Sequence, residues 1–191
     1  MKIMQQNNKG WDYGGNAQVV VDEACQIIVA CDVVIQTNDK QQTVPMAEKA
    51  LANLEEASIE RPRDAAGQVK KIANVADASY FSEKAVSGLE AVGLDPYLAT
   101  ERQKHHAAAQ AVAKATAQEK MRAKLQTGRG RAVYGLRKRV VEPVFGQIKG
   151  ARGFRRFSLR GLEKVRGEWC LVCLTHNLLK IWRYRCAPSR N

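Results

Sequence analysis

Two carboxylates, Asp77 and Glu142, stand in settings that suit chemistry on phosphate groups. Asp77 directly follows the apolar run 72–76, which predicts a short buried strand, and functional side chains commonly lie where such strands end. Glu142 is one of 2 acidic residues among 13 basic ones between Glu119 and Arg160. Positive surroundings keep a carboxylate ionised, and an ionised carboxylate that faces a cleft can hold a divalent cation.

Carboxylates of this kind are what phosphodiester transfer requires. Two Mg²⁺ ions roughly 4 Å apart, held by three carboxylates, activate the attacking oxygen and stabilise the leaving one. Each residue also has a simpler interpretation: Asp77 as a strand-end cap, and Glu142 as an intrahelical partner of Lys138 or Arg139. On the residues alone the simpler interpretations are favoured, because isolated carboxylates are only probabilistic markers of a site.

The positive charge of the chain is concentrated in its last third. Residues 1–118 hold 12 basic and 15 acidic side chains, whereas residues 119–191 hold 19 basic and 4 acidic, for a net charge of +12. Clustered Lys and Arg displace counterions from phosphate backbones, so nucleic acid is the leading partner. A solvated basic tail that only keeps the chain soluble is an equally weighted alternative from charge alone.

Composition and length indicate one globular domain. The 191 residues are 45% hydrophobic, and the longest apolar stretches, such as 27–31, are far shorter than the roughly 18 to 20 residues that cross a bilayer. The first ten residues contain no apolar segment typical of a secretory signal. We therefore expect a cytoplasmic protein with no membrane contact.

Five cysteines are an odd number, and their placement is unlike a disulfide framework. Reduced, buried thiols are the default interpretation. Cys170, Cys173 and His176 invite a zinc interpretation, but the chain lacks a second ligand pair at finger spacing, so we do not favour it.

The elements that would position these residues alternate between strands and helices. β-branched runs at 16–22 and 26–35 predict an antiparallel hairpin, followed by a helix over 44–57, a strand over 71–76, a helix over 82–91 and a strand over 95–99. The alanine-rich stretch 104–125 predicts a mobile connecting helix, interrupted at Gly128-Arg-Gly130, within a connection that extends over 104–130. Helices over 132–149 and 162–183 follow, the second with a broad hydrophobic face that includes Trp169, Leu171, Leu174, Leu178 and Trp182.

Four sequence blocks resemble a known family. Asn74-Val-Ala-Asp77-Ala-Ser-Tyr-Phe-Ser-Glu83 and Arg139-Val-Val-Glu142-Pro-Val-Phe-Gly-Gln-Ile-Lys149-Gly-Ala-Arg-Gly-Phe-Arg-Arg156-Phe-Ser-Leu-Arg-Gly161 closely resemble DDE transposases of bacterial insertion sequences, in the IS4-like superfamily. Gly15-Asn-Ala-Gln-Val-Val-Val-Asp22 and His176-Asn-Leu-Leu-Lys180 resemble the flanking blocks of that family. The resemblance covers nearly the whole chain, in the expected order.

The resemblance implies a ribonuclease H-like α/β core, a mixed sheet flanked by helices, across residues 1–191. Asp77 would be the second catalytic and metal-binding carboxylate and Glu142 the third, with Mg²⁺ as cofactor and with transposon ends and target DNA as partners. Tyr134, Glu142 and Lys149 resemble a tyrosine, arginine, glutamate, lysine signature, in which Lys138 occupies the arginine position between Arg137 and Arg139. The DNA-binding residues would be Tyr134, Arg137, Lys138, Arg139, Lys149, Arg152, Arg155, Arg156 and Arg160.

The sequence departs from the family at two places. Ser79 replaces a glycine that is usual after the second carboxylate, and only fourteen residues precede Gly15, where the strand with the first catalytic aspartate is expected. Asp12 does not resemble that motif, while Asp22 and Asp32 are stand-ins by proximity only. We therefore expect an N-terminally truncated, inactive transposase core that lacks its first strand.

Two alternatives stay open beside an active transposase: a non-catalytic basic remnant that binds DNA, and a structural nucleic-acid-binding protein unrelated to transposition. The blocks around Asp77 and Glu142 argue against the second alternative, which has no need of isolated carboxylates. The sequence leaves a homo-oligomer open.

Overall fold

The computed structural model describes residues 2–6, 10–36, 39–100 and 116–186. The chain forms two compact units: unit 1 comprises Met1–Thr37 and Lys138–Asn191, and unit 2 comprises Asn38–Arg137. One catalytic core spanning both units stays a prediction. In chain order the strands and α-helices are β1 Lys2–Gln6, β2 Gly10–Gly14, β3 Asn16–Val21, β4 Ile28–Val34, α1 Thr43–Glu56, β5 Ile72–Ala76, α2 Glu83–Ala91, β6 Leu94–Leu98, α3 Ala117–Gln126, α4 Gly128–Gly135, α5 Arg137–Gly146 and α6 Leu162–Cys186.

Unit 1 contains two antiparallel hairpins. β1 pairs with β2, and β3 pairs with β4 as the β-branched pattern predicted. The pairing register of the second hairpin shifts between Val20 and Val21, near the turn. Gln26 in that turn adopts a left-handed φ of 58°. A residue other than glycine rarely adopts that backbone conformation, because it brings Cβ close to the backbone.

The core of unit 1 forms where α5 and α6 pack on the β3–β4 hairpin. Val33, Val144, Ile148 and Trp169 are fully or almost fully buried there. The indole Nε1 of Trp169 donates to the carbonyl of Gln18 on β3 at 3.1 Å, so the polar atom of the largest buried side chain is satisfied. Phe145, Phe154 and Phe157 surround the same indole, with ring centroids 6.1–6.3 Å away.

The buried face of α6 is narrower than the sequence predicted. Val165, Trp169, Cys173 and His176 are buried at spacings of four, four and three residues, as one stripe of a helix. Leu171, Leu174, Leu178 and Trp182, which we expected on the hydrophobic face, are exposed. Hydrophobicity alone could not distinguish the stripe from its neighbours, because the buried stripe itself contains a histidine and a cysteine.

Unit 2 packs α1, α2, α3 and α4 around a parallel pair of strands, β5 and β6. Ser82 caps α2, since its hydroxyl accepts from the backbone N–H of Ala85 at 3.0 Å, and Gly93 beyond its end has a φ of 78°. The sequence predicted this helix over 82–91, close to the observed bounds. Leu89 and Leu98 are completely buried in the core of this unit.

The helices before α6 differ from their predicted bounds. Residues 101–115, most of the predicted connecting helix, lie outside the described residues, and α3 begins after a capping box formed by Thr116 and Glu119. Gly128 and Gly130 lie inside α4 rather than in a break. The predicted helix over 132–149 is divided at Leu136, and α5 is followed by a π-helical turn, Gln147–Ala151.

The α/β class is confirmed, but the described strands form three two-stranded ladders rather than the single mixed sheet that we predicted. The ribonuclease H-like arrangement stays a prediction. In the described part of the chain, no helix has the length and apolar character needed to span a membrane.

The corner between α3 and α4 leaves no room for a side chain at Gly130. Thr127 makes the corner: its hydroxyl donates to the carbonyl of Lys124 at 2.7 Å and accepts from the N–H of Gly130 at 2.9 Å. A Cβ at Gly130 would lie 2.0 Å from the carbonyl oxygen of Lys124, whereas a Cβ at Gly128 would have no neighbour within 4 Å. The two glycines therefore form a matched pair.

We expect Gly130→Ala to lower the free energy of unfolding by about 1 to 3 kcal/mol, because the backbone at the corner must move to admit the methyl group. Gly128→Ala, in the same helix, should be neutral or gain up to about 1 kcal/mol from reduced backbone entropy in the unfolded chain. Urea denaturation of both variants measures the difference. Equal midpoints for the two variants would contradict this account of the corner.

Candidate functional site

Asp77 ends β5 and caps the 3-10 turn Ala78–Tyr80 that follows. Its Oδ1 accepts from the backbone N–H of Ser79 at 2.9 Å and from the hydroxyl of Ser79 at 2.6 Å. The interpretation of Asp77 as a strand-end cap is thus confirmed. The carboxylate is also 45% exposed, so capping leaves it accessible to a ligand.

Arg137 is the cation beside Asp77 within unit 2. Its Nη1 lies 3.9 Å from Oδ2 of Asp77, and its guanidinium lies 5.8 Å from the ring centroid of half-buried Tyr134. Lys138 holds the strict signature position, while Arg137, the residue before it, lies beside both Tyr134 and the carboxylate. Spacing along a helix could not show this, because adjacent residues point in different directions.

Ser79 does more at its position than a glycine could. A glycine would keep the backbone N–H that Asp77 accepts but would lack the hydroxyl that donates to the same oxygen. Oδ1 therefore accepts two hydrogen bonds from Ser79, and Oδ2 faces Arg137.

Glu142 is exposed on α5, while Val140 and Val144 of the same helix and Ile148 in the turn after it are buried. The next residue, Pro143, has no N–H, so the carbonyl of Arg139 cannot receive the usual bond from the following turn of helix. Gln26 replaces that bond, since its Nε2 donates to the Arg139 carbonyl at 2.7 Å. The backbone of the turn that carries Glu142 is thereby held by a distant side chain.

Lys149 lies in the π-helical turn after α5, where the N–H of Arg152 bonds to the carbonyl of Gln147 at 3.0 Å. Its ammonium is 5.1 Å from the ring centroid of Phe145, one turn earlier. Lys149 and Glu142 are both exposed. The two residues are seven apart, and we expect them to lie on one side of the helical segment, although Lys149 itself belongs to the wider π turn.

Gln26 is also the point where α6 holds the β3–β4 turn, a role that the sequence analysis missed. The carbonyl of Gln26 accepts from Nε2 of His176 at 3.0 Å, and its Oε1 accepts from Nζ of Lys180 at 2.5 Å. The backbone of Ile28, two residues after Gln26, is held in the same way. The side-chain amide of Asn177 donates to the Ile28 carbonyl at 2.9 Å and accepts from the Ile28 N–H at 2.8 Å. Residues 176–180 therefore serve to fasten the hairpin.

His176 is completely buried, and burial lowers its pKa despite the opposing effect of the hydrogen bond to Gln26. The imidazole is therefore neutral near pH 7, and because a carbonyl can only accept, Nε2 carries the proton. In the sequence, His176 beside two cysteines resembles a set of metal ligands. In the structure, His176 and Asn177 instead form hydrogen bonds with the backbone of Gln26 and Ile28. An imidazole and an amide placed four and three residues before a lysine, His176, Asn177 and Lys180, were the available signal.

The basic residues expected to bind DNA in unit 1 are exposed, and two of them also bond to the protein. The guanidinium of Arg152 donates to the Val172 carbonyl at 3.1 Å and to the hydroxyl of Thr175, which ties the loop after α5 to α6. Arg155 donates to the carbonyl of Lys149 at 3.1 Å. The exposed members of the set are Lys138, Arg139, Lys149, Arg152, Arg155, Arg156 and Arg160.

Both stand-ins for the first catalytic aspartate are engaged by other groups of unit 1. The carboxylate of Asp22 accepts from the N–H groups of Cys25 and Ile27, so Asp22 is the hairpin-turn residue that the sequence also allowed. Asp32 accepts from Nε of Arg166 at 2.9 Å, and Arg166 in turn bonds to the Val33 carbonyl at 3.0 Å. Both carboxylates therefore form bonds within unit 1.

The described residues do not by themselves compose a two-metal centre. Asp77 belongs to unit 2 and Glu142 to unit 1, and their convergence stays a prediction. Among residues 2–6, 10–36, 39–100 and 116–186, no group of three or more His, Cys, Asp or Glu side chains is arranged to hold a metal ion. Each of the two carboxylates offers the hard oxygen ligands that Mg²⁺ prefers.

Residues 99–182 match the family model described as the transposase DDE domain. The match supports a DDE transposase. It covers a little under half of the chain and includes Glu142, Lys149 and the fastening residues 176–180, whereas Asp77 lies outside it. No curated protein and no solved structure matches this chain.

The fastening by Gln26 predicts a measurable effect at α5. In Gln26→Ala the Arg139 carbonyl beside Pro143 loses its donor, which should cost about 1 kcal/mol of unfolding free energy and speed hydrogen exchange in the turn containing Glu142. Urea denaturation and amide exchange followed by mass spectrometry measure both effects. Glu23→Ala, an exposed change in the same turn, is the control and should alter neither. Unchanged exchange in α5 of Gln26→Ala would show that the bond does not hold this turn.

Proposed function

We propose that this chain is part of a DNA transposase of a bacterial insertion sequence, acting in the cytoplasm. The observation that carries the proposal is the match of residues 99–182 to the transposase DDE domain. The matched range contains Glu142, the carboxylate in the most basic part of the chain, and the exposed cations on both sides of it. A structural nucleic-acid-binding protein unrelated to transposition would have no reason to match that family.

In this proposal each unit contributes one catalytic carboxylate, Asp77 from unit 2 and Glu142 from unit 1. Asp77 and Glu142 are two of the carboxylates of a ribonuclease H-like core, and the divalent metal ions that DDE domains generally use, here Mg²⁺, would supply activation of the attacking oxygen. Arg137 lies beside Oδ2 of Asp77, while the hydroxyl of Ser79 donates to Oδ1. Gln26 donates to the Arg139 carbonyl and so holds the helical turn that carries Glu142.

The cations beyond Glu142 are proposed to hold the DNA backbone. Lys149 lies at the end of the helix that carries Glu142, and Arg152 and Arg155 keep the following loop in place through protein carbonyls. Arg156 and Arg160 in that loop are exposed and available to phosphate. Contacts of this kind position DNA without reading its sequence.

We expect the chain to bind duplex DNA with little sequence preference and with an affinity that falls steeply between about 50 and 200 mM salt. Arg156→Ala/Arg160→Ala should weaken binding at low salt and reduce the slope of log K against log salt by about 2, because each lost phosphate contact removes close to one released counterion. Fluorescence anisotropy with two unrelated duplexes measures the affinity and the slope.

Lys70→Ala/Lys71→Ala is the matched control, since it removes the same charge from exposed positions in unit 2. This variant should leave the slope close to that of the parent chain. If both double variants reduce the slope equally, the binding is a general effect of net charge, and the assigned surface is wrong.

A non-catalytic DNA-binding product of the same family is the second candidate, favoured by the engagement of Asp22 and Asp32. Asp22 is bonded to turn N–H groups and Asp32 to Arg166, so neither offers a free carboxylate as a third metal ligand. Loss of one group that stabilises charge at a transferring phosphoryl typically reduces the rate by orders of magnitude. The remaining DNA affinity would be unaffected.

We expect this chain not to nick supercoiled plasmid carrying the transposon ends in Mg²⁺. The assay compares the chain with Asp77→Ala and Glu142→Ala variants purified in the same way, so that contaminating nuclease gives equal nicking in all three. Mg²⁺-dependent nicking that both variants abolish would contradict the expectation and show a complete site. DNA binding without nicking would support the second candidate.

A further inference from the structure

Three thiols of unit 1 meet between β4 and α6. Cys31 lies on β4 and is half-buried, Cys170 on α6 is exposed, and Cys173 one turn later is buried. The sulfur atoms of Cys31 and Cys170 are 3.6 Å apart, although the two residues are 139 positions apart in sequence. The expectation that the cysteines are simply buried is therefore wrong for Cys170, which lies at the surface beside a second thiol.

We propose that Cys31 and Cys170 are a modification site at which a hydroperoxide forms a reversible disulfide between β4 and α6. The 3.6 Å separation must shorten to about 2.05 Å, a movement of about 1.5 Å that rotation of two side chains can supply. β4 and α6 already pack in one core, so the link requires no rearrangement of the elements. None of these three cysteines forms a disulfide in the structure.

The chemistry proceeds in two balanced steps. The Cys170 sulfur attacks one oxygen of hydrogen peroxide, which breaks the O–O bond and gives a sulfenic acid and one water. The Cys31 sulfur then attacks the sulfur of that sulfenic acid and displaces hydroxide, which leaves as a second water after taking up the Cys31 proton. The peroxide is reduced to two waters, and the two thiols are oxidised to one disulfide.

Exposure and geometry select the order of the partners. Oxidation is favoured at accessible thiols, so Cys170 reacts first and Cys31, at 3.6 Å, resolves it. Cys173 is a poorer partner, because its hydrogen bond with Cys31 and its burial raise the pKa of the Cys173 thiol. Cys170 and Cys173 also lie on one helix, where a bond between them would link no second element.

The link would fasten α6 to the hairpin that His176 and Asn177 already hold by hydrogen bonds. Closing a loop of well over one hundred residues restricts the unfolded chain strongly. We therefore expect oxidation to raise the Tm by about 5 to 10 °C, with full reversal by a dithiol reductant.

The test treats the reduced chain with hydrogen peroxide at low protein concentration, blocks remaining thiols with an alkylating reagent, and maps tryptic peptides by mass spectrometry. The expected result is one intramolecular link between the peptides of Cys31 and Cys170, together with the reversible rise in Tm. Cys170→Ser should lose both the link and the rise in Tm, and because this side chain is exposed the variant should fold normally by circular dichroism.

Cys186→Ser is the matched control, since it removes another exposed thiol of α6 and should keep the link and the rise in Tm. A second variant, Cys31→Ala, should accumulate sulfenic acid at Cys170 that a dimedone probe labels. A link between Cys31 and Cys173, a link between two chains, or stable sulfenic acid at Cys170 in the parent chain would each overturn the proposal.

Discussion

Unit 1 depends on one point of fastening, the turn between β3 and β4. Gln26 takes a left-handed backbone conformation there, and its three polar groups bond to His176, Lys180 and the carbonyl of Arg139. Each bond satisfies a group that the local chain leaves open: a turn carbonyl, a side-chain amide, and the helix carbonyl beside Pro143. Unpaired polar groups are costly when they are buried or half-buried. These bonds therefore favour one position of the hairpin relative to α5 and α6.

The exposed placement of Glu142 follows from that fastening. Val140, Val144 and Ile148 pack inward, so the opposite side of α5 presents Glu142 to solvent among cations. A proline in a helix interior normally costs about 3 kcal/mol or more, partly through the missing hydrogen bond. The donor from Gln26 offsets part of that cost and lets the helix carry Pro143 directly beside the carboxylate.

Asp77 shows that a residue can cap a turn and still leave its side chain accessible. Capping uses Oδ1, while Oδ2 faces Arg137 and almost half of the side chain stays exposed. The alternatives weighed from the sequence, cap or ligand, are thus not exclusive. Asp22 and Asp32 are likewise engaged within unit 1, Asp22 by turn N–H groups and Asp32 by Arg166.

The sequence by itself determined the elements whose signals are local. β-branched runs located β3 and β4, and a helical pattern over 82–91 located α2, because these signals depend on neighbours a few residues away. It also placed Asp77 at a strand end and Glu142 in a basic stretch. Only the tertiary structure decided which arginine reaches Asp77, which stripe of α6 is buried, what residues 176–180 hold, and that Cys31 meets Cys170. Those contacts join residues up to about 150 positions apart, and their partners are chosen by packing and by unpaired polar groups, which no local pattern records.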